Sequence, residues 1–313
     1  MVTSGNVLAA VVALLLTAAP AMADEADNFT CKGRLKADAL VPLNAWINAQ
    51  IGEAVAAANG LGPGGCDDAC LNRLLQERVG HSERKGWTFV PGSTFVEWAK
   101  SAPAVERCHL PFRDTIYGAR AYDQPWLLPF NHRIIFVLDS IKLSGRVVGL
   151  DKLDHFIREG LDHWRRMKDG ATMVESMAHE VGSPHKHLQW TEYGVKGASL
   201  TGVFAYADLA AGYFGHQFWR RLLTVGAPDG YISREPGGRY TIRRPFTFAD
   251  YVNDAWDETI NCSTFTPALQ KEVDIALAAR RMQCSPTPAL ATLPDAKLYI
   301  NPKALVSHDE LKK

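Results

Sequence analysis

The chain carries 34 Lys and Arg against 34 Asp and Glu over 313 residues, and 47% of it is hydrophobic. Formal neutrality argues against a nucleic-acid polyelectrolyte partner, so that role is set aside. A chain of this length can bury a full core, as one large domain or two tightly joined ones.

Residues 1–23 read as an export signal. Residues 7–20, "VLAAVVALLLTAAP", form an apolar run too short to span a bilayer, and "AMA" places small residues at the −3 and −1 positions of a signal-peptidase site before Asp24. "MVTSGN" has no Lys or Arg, a departure that leaves a retained anchor as the alternative. No later segment holds about 18 uncharged apolar residues, so no membrane span is expected after signal cleavage. The implied location is periplasmic or secreted, where the six cysteines read first as disulfides. Cys66 and Cys70 are close enough to bridge locally. Residues 266–283 read as one unbroken helix about 25 Å long. Such a helix holds Cys262 and Cys284 apart, so Cys31 and Cys108 are expected to reach them in some order.

From residue 24 to about 130 the pattern predicts a helical hairpin followed by an irregular region packed on the main domain. Leu43, Trp46, Ile47, Ile51 and Val55 recur at helical spacing between Pro42 and Gly60, and Leu71, Leu74, Leu75 and Val79 repeat it before Gly80. A short helix is expected near "STFVEWAKSA", then a coil rich in Pro and aromatics. Residues 131–284 form the expected main helical domain. Its helices are residues 151–168 and 172–181, a short one opened by Ser183 and Pro184, a long one over about 205–225, and one over 248–260 begun by a Thr247–Asp250 capping box. Between the last two, "YISREPGGRYTIRR" reads as a β-hairpin turning at Gly237 and Gly238. Residues 285–313 are a Pro-rich surface tail. The fold class is therefore mainly α, a compact multi-helix globular domain with a small β-hairpin, tied by disulfides.

The stretch "DKLDHFIREGLDHW" concentrates candidate chemistry. Asp151 reads as a helix N-cap and Asp154 as a favourable charge in the first turn. His155, one turn on and flanked by Leu153, Phe156 and Ile157, is partly buried and can be oriented by Asp151, which would make it a base or a ligand. His155, Glu159 and His163 stand at i, i+4, i+8 and share a face, the arrangement a zinc site needs, with further ligands from Glu175 and His179 or from His185 and His187. Asp208 is the only charged residue between Gly197 and Gln217, and a buried carboxylate there needs a donor such as Lys152 or an Arg. Glu192, beside Trp190 and Tyr193, can serve as a general acid of raised pKa if an aromatic neighbour desolvates it, and otherwise is an ordinary exposed Glu. Asp250, Asp254, Asp257 and Glu258 read as a wet acidic stripe, with Tyr251 and Trp256 nearby. Trp190, Tyr193, Tyr206 and Trp256 are the candidate stacking platforms for a sugar ring.

The phrases "DKLDHFIREGLDHW", "GVFAYADLAAGYFGHQFW" and "DYVNDAWDETINCSTF" resemble those of a group of exported proteobacterial proteins over residues 151–265, a likeness that brings no mechanism with it. Asp-Lys-x-x-His-Phe also resembles a motif of VanZ-like membrane proteins, which span the bilayer several times. The placement of Glu192 before a Gly-rich segment resembles lysozyme-like folds in outline. His155-x3-Glu159-x3-His163 resembles the His-Phe-x-x-Asp pattern of secreted helical zinc nucleases and phospholipases C, although "DEADNF" lacks the N-terminal Trp which that family uses as a ligand.

Three functions follow as expectations. The first is an exported hydrolase of a cell-envelope glycan needing no cofactor, with Glu192 as acid, Asp208 or Asp257 as the second carboxylate, and Asp151 with His155 in the site wall. The second is a metal-dependent phosphoric-ester hydrolase using zinc on His155, Glu159 and His163. The third is a non-enzymatic binding or envelope-assembly protein in which these groups are structural.

Overall fold

A computed structural model describes residues 24–62, 64–80, 82–83, 92–118, 136–183, 189, 191–194, 197–198 and 201–300. Helices dominate, and the strands form only two-stranded sheets. The chain opens with β1 (Asp24–Ala26) and the single turn α1 (Asn28–Cys31), followed by the long α2 (Leu40–Gly60) and α3 (Asp68–Val79). Asp67 caps α3 by accepting from the Cys70 amide. Leu43, Ile47, Ile51 and Val55 of α2 are buried together with Leu71, Leu75 and Val79 of α3, as their spacing predicts. β2 (Ser82–Glu83) pairs with β3 (Gly92–Ser93), and Ser93 caps α4 (Thr94–Ser101).

β4 (Phe136–Leu138) runs parallel to β1, and β5 (Ser140–Leu143) forms an antiparallel hairpin with β6 (Arg146–Gly149). The tight turn between β5 and β6 places Ser144 and Gly145 at φ 51° and 80°, matching the right-handed twist of the flanking strands. β6 feeds directly into α5 (Leu150–Asp154), which continues through a π turn (His155–Glu159) into α6 (Gly160–Lys168). α7 (Met173–Val181) begins with a complete capping box of Thr172 and Glu175. After β7 (Val203–Phe204) comes the central helix α8 (Tyr206–Leu223), then the hairpin of β8 (Ile232–Arg234) and β9 (Tyr240–Ile242). β10 (Thr264–Phe265) pairs with β7 and leads into α9 (Pro267–Ala279). Beyond Cys284 the chain is tied to the core by Leu290, Leu298 and Tyr299, all buried. Among the described residues no helix is long and apolar enough to cross a membrane.

The rod α5–π turn–α6 crosses α8 at two glycines. A Cβ on Gly160 would lie 2.4 Å from the Gly215 carbonyl carbon, and one on Gly215 would lie 2.1 Å from the Phe156 carbonyl oxygen. Only glycine permits backbones this close. The π turn, with its i→i+5 pattern, disturbs the normal carbonyl ladder, and Trp219 of α8 donates its indole N–H to the Ile157 carbonyl at 2.7 Å. Phe156 fixes the turn from inside: its ring lies 5.2 Å from Phe218, 5.3 Å from Phe248 and 5.5 Å from Trp256. Burying these large rings supplies much of the core's stability.

Four sequence expectations change. Cys31 pairs with Cys108, Cys66 with Cys70, and Cys262 with Cys284. The last pair forms because α9 stops at Ala279 and Arg281, at φ 54°, reverses the chain towards Cys262. Residues 248–260 are not a helix but two 3-10 turns, Phe248–Asp250 and Asp254–Trp256, capped by Thr247 and Asn253 on Ala249 and Ala255. Asp151 is not an N-cap, since Gly149 holds that position and Asp151 stands in the first turn. The strands between residues 136 and 149 were not anticipated. The expected short helix after Ser183 and much of the Pro-rich coil lie outside the described residues.

Candidate functional site

β6 and the rod behind it bring the site's first group into place. Gly149 packs so tightly that a Cβ there would lie 2.1 Å from Asp151 Oδ1 and 2.4 Å from Ala26 Cβ. The next residue, Lys152, is fully buried, and its ammonium lies 2.5 Å from Asp151 Oδ2, 2.5 Å from Asp208 Oδ1 and 2.6 Å from Glu258 Oε1. Lys152, one of the partners named for Asp208 from the sequence, is the one that reaches it. Glu25 of β1 is buried in the same neighbourhood and accepts from the Thr201 hydroxyl at 3.0 Å. Burial alone would lower the Lys152 pKa, but the carboxylates of Asp151, Asp208 and Glu258 outweigh it and hold the ammonium well above its ordinary range. The carboxyl groups are raised as well, toward their neutral forms. Burial and the neighbouring charges of Asp208 and Glu258 push Glu25 well up, burial raises Asp151 against the pull of Lys152, and burial carries Glu258 to about 7.

Asp208 links this cluster to a second one. Its Oδ1 faces Lys152, and its Oδ2 lies 3.3 Å from His155 Nε2. The other imidazole nitrogen, Nδ1, lies 2.5 Å from Glu159 Oε2, the π turn having set these two side chains together. Both imidazole nitrogens of His155 thus face carboxyl oxygens, Nδ1 more closely than Nε2.

Glu180 and Glu192 complete that second cluster. Gly182 caps the end of α7 at φ 73°, where a Cβ would strike the Thr191 side chain at 2.2 Å. The returning chain is bonded to the helix end, Glu192 N donating to Glu180 O at 2.9 Å and Tyr193 N to Val181 O at 3.0 Å. Glu192 is thereby held beside Glu180, and both are buried. Single donor atoms of His155, Glu159, Glu180 and Glu192 all lie within 4.8 Å of one another. His163, buried on α6, sets its Nε2 on Glu180 Oε2 and its Nδ1 2.6 Å from Ser176 Oγ. Gly212 of α8 leaves room for that pair, since a Cβ there would press within 3.2–3.3 Å of Glu180 and His163.

The structure therefore brings Glu192, His155, Asp208 and Asp151 into one continuous polar centre. Among the sequence-named residues, Glu159 joins this centre directly and His163 stands behind Glu180. Asp257 is buried but turned to backbone duty, its Oδ1 accepting from Thr259 N at 2.9 Å and Thr259 Oγ1 at 2.7 Å. Trp256 lies in the core against Phe156. Tyr193 and Tyr206 flank Phe204, at 4.6 and 5.3 Å, and Trp190 lies outside the described residues, as do His185 and His187. Glu175 serves the capping box, and His179 is exposed. Asp250 and Asp254 pair with Arg244 and Arg146.

Sequence reasoning missed Glu180, Glu25 and the burial of Glu258. Glu180 had a signal: it stands on the apolar face of α7 with Met177 and Val181, where an unneeded charge would be costly. No protein-family model matches the chain, and neither a curated protein nor a solved structure is significantly similar to it.

Proposed function

We propose that the protein is an exported metal-dependent hydrolase of phosphoric esters, with His155, Glu159, Glu180 and Glu192 as the ligands of one divalent ion such as zinc or manganese. The observation that carries this reading is the convergence of those four donors within 4.8 Å, from two helical segments and a loop tied back to one of them. One imidazole with three carboxylates is a set that borderline to hard divalent ions accept. The supporting shell fits the same role. Asp208 holds the His155 ring from the Nε2 side, so that an ion would take the place of the proton between Nδ1 and Glu159, and His163 orients Glu180. A π turn at the ligand-bearing segment agrees with the frequent placement of such turns at functional sites.

When bound, the ion supplies a Lewis acid and a water of lowered pKa, and phosphoryl oxygens are well suited to polarisation by a carboxylate-held ion. The His155 ring is held in place between Asp208 and Glu159, and the burial of Glu180 and Glu192 keeps their carboxylates from exchanging freely with solvent. Export rests on the apolar run and small-residue cleavage pattern of residues 7–23.

Hydrolysis of bis(p-nitrophenyl) phosphate by metal-loaded and chelator-stripped protein tests this reading. Loaded wild type is expected to turn over, and Glu192→Gln to lose on the order of 10²-fold while remaining folded. Equal rates with and without metal would end the proposal. Clearing of a peptidoglycan suspension by wild type but not by Glu192→Gln would instead favour the glycan hydrolase.

A further inference from the structure

The buried lysine has no counterpart in the ligand set just described, yet it touches that set through Asp208. Three carboxylates from three separate parts of the chain close on its ammonium: Asp151 from α5, Asp208 from α8 and Glu258 from the segment after the second 3-10 turn. Only the Asp151 contact has the geometry of a directed hydrogen bond, and the other two are close ionic approaches. Oxygen atoms of the same three carboxylates lie within 4.8 Å of one another, the spacing of a cation site. Two further carboxyl oxygens of the cluster, Asp151 Oδ1 and Glu25 Oε2, are buried without a hydrogen-bond partner. One carboxylate, Asp208, reaches the ammonium with one oxygen and the imidazole of the ligand cluster with the other. A carboxylate that joins two cationic centres in this way is the arrangement of a two-metal site.

We infer that Lys152 is the resident second cation of a two-cation centre: its ammonium fills a three-carboxylate cage that otherwise takes a divalent ion. The inference deepens the metal reading above, since it limits the exchangeable metal to one ion and makes the second positive charge permanent. A fixed ammonium holds the Asp208 side chain in place against His155 whether or not metal is present. Lys152 is in this sense a positioning residue, acting on His155 through Asp208. The cage itself suits a hard ion, because all of its donors are carboxylate oxygens.

Manganese is the probe, with bound metal counted per chain and the electron paramagnetic resonance spectrum recorded for wild type, Lys152→Ala and Lys152→Met. Lys152→Ala opens the cage, whereas Lys152→Met keeps it filled with an uncharged chain of similar length. The expected counts are one ion in wild type, two in Lys152→Ala with the spectrum of a coupled pair, and no more than one in Lys152→Met. A folded Lys152→Ala that binds no more manganese than wild type overturns the inference. Should Lys152→Ala fold only with manganese present, the cage is again taking the ion. Failure of manganese to restore its folding overturns the inference as well. The two readings separate in the counts: zero in wild type and one in Lys152→Ala sinks the four-ligand site and keeps the cage, while one in each does the reverse.

Discussion

Replacing Glu258 with Gln probes one pH-dependent term of the buried cluster. Glu258 is fully buried, and its carboxyl is carried from an ordinary 4.5 to about 7 by that burial and by Asp151 and Asp208, with Lys152 opposing them. Each tenfold change in proton affinity is worth about 1.4 kcal/mol, so keeping the native carboxylate ionised above pH 7 costs about 3 kcal/mol. The native chain binds this proton more tightly than the unfolded chain. Its contribution to stability is therefore complete below pH 4.5, declines as the pH rises towards 7, and is lost above it. Gln has no proton to release and keeps most of the shape. Urea denaturation of wild type and Glu258→Gln at pH 5 and pH 8 reads the difference, which includes the change that losing the Glu258 charge makes to Glu25 and Lys152. Wild type is expected to lose about 2–3 kcal/mol more than the variant across that interval. Equal losses in the two proteins would show that Glu258 ionises at an ordinary pH, and the charge balance drawn for the cluster would be wrong.

The helix crossing makes a second prediction. Gly215→Ala gains about 1 kcal/mol of helix propensity but forces a Cβ to 2.1 Å from the Phe156 carbonyl, a backbone atom that can yield only if the two rods separate. A net loss of roughly 1–2 kcal/mol and a fall in Tm of several degrees are expected by calorimetry, with weaker metal binding because the π turn carries His155 and Glu159. Unchanged Tm and metal affinity would remove the crossing from the account. The disulfides should rank by the loop each closes. The Cys31–Cys108 bridge spans 77 residues and is worth about 4 kcal/mol in the chain-entropy picture, against about 2 kcal/mol for Cys66–Cys70, which spans 4. Paired Cys→Ser variants compared by urea denaturation check the order, and a reversed order would refute it.

The helical hairpin, the Thr172 capping box and the Gly237–Gly238 turn were legible because local chemistry dictates them: a 3.6-residue apolar period, a hydroxyl ahead of a Glu, two glycines between β-formers. Ser144 and Gly145 between the alternating residues of β5 and β6 carried a readable turn signal too. The π turn has no local mark, because it is imposed from outside by Gly215 and by the Trp219 indole. The Cys262–Cys284 pairing depended on where α9 stops, and helical periodicity through Arg280 and Arg281 hid a break made by a single left-handed residue. Residues 248–260 misled for a related reason. Their acidic groups sit at helical spacing, yet Thr247 and Asn253 each cap a single short turn, and Glu258 is drawn inward by Lys152 from a distance of 106 positions in the chain. Asp208 stood out as the one charge in a small-residue helix, His155 and Glu159 by their helical spacing with His163, and Glu192 by its aromatic neighbours. Glu180 and Lys152 did so less clearly, since each is beside other charged residues in the sequence.

The central claim is that His155, Glu159, Glu180 and Glu192 hold one metal ion, and anomalous diffraction at the zinc edge from crystals grown with zinc tests it most directly. The account predicts one strong peak at bonding distance, about 2.0–2.2 Å, from these four side chains. A map with no peak among them, or with peaks only at exposed histidines such as His109 and His179, would contradict it.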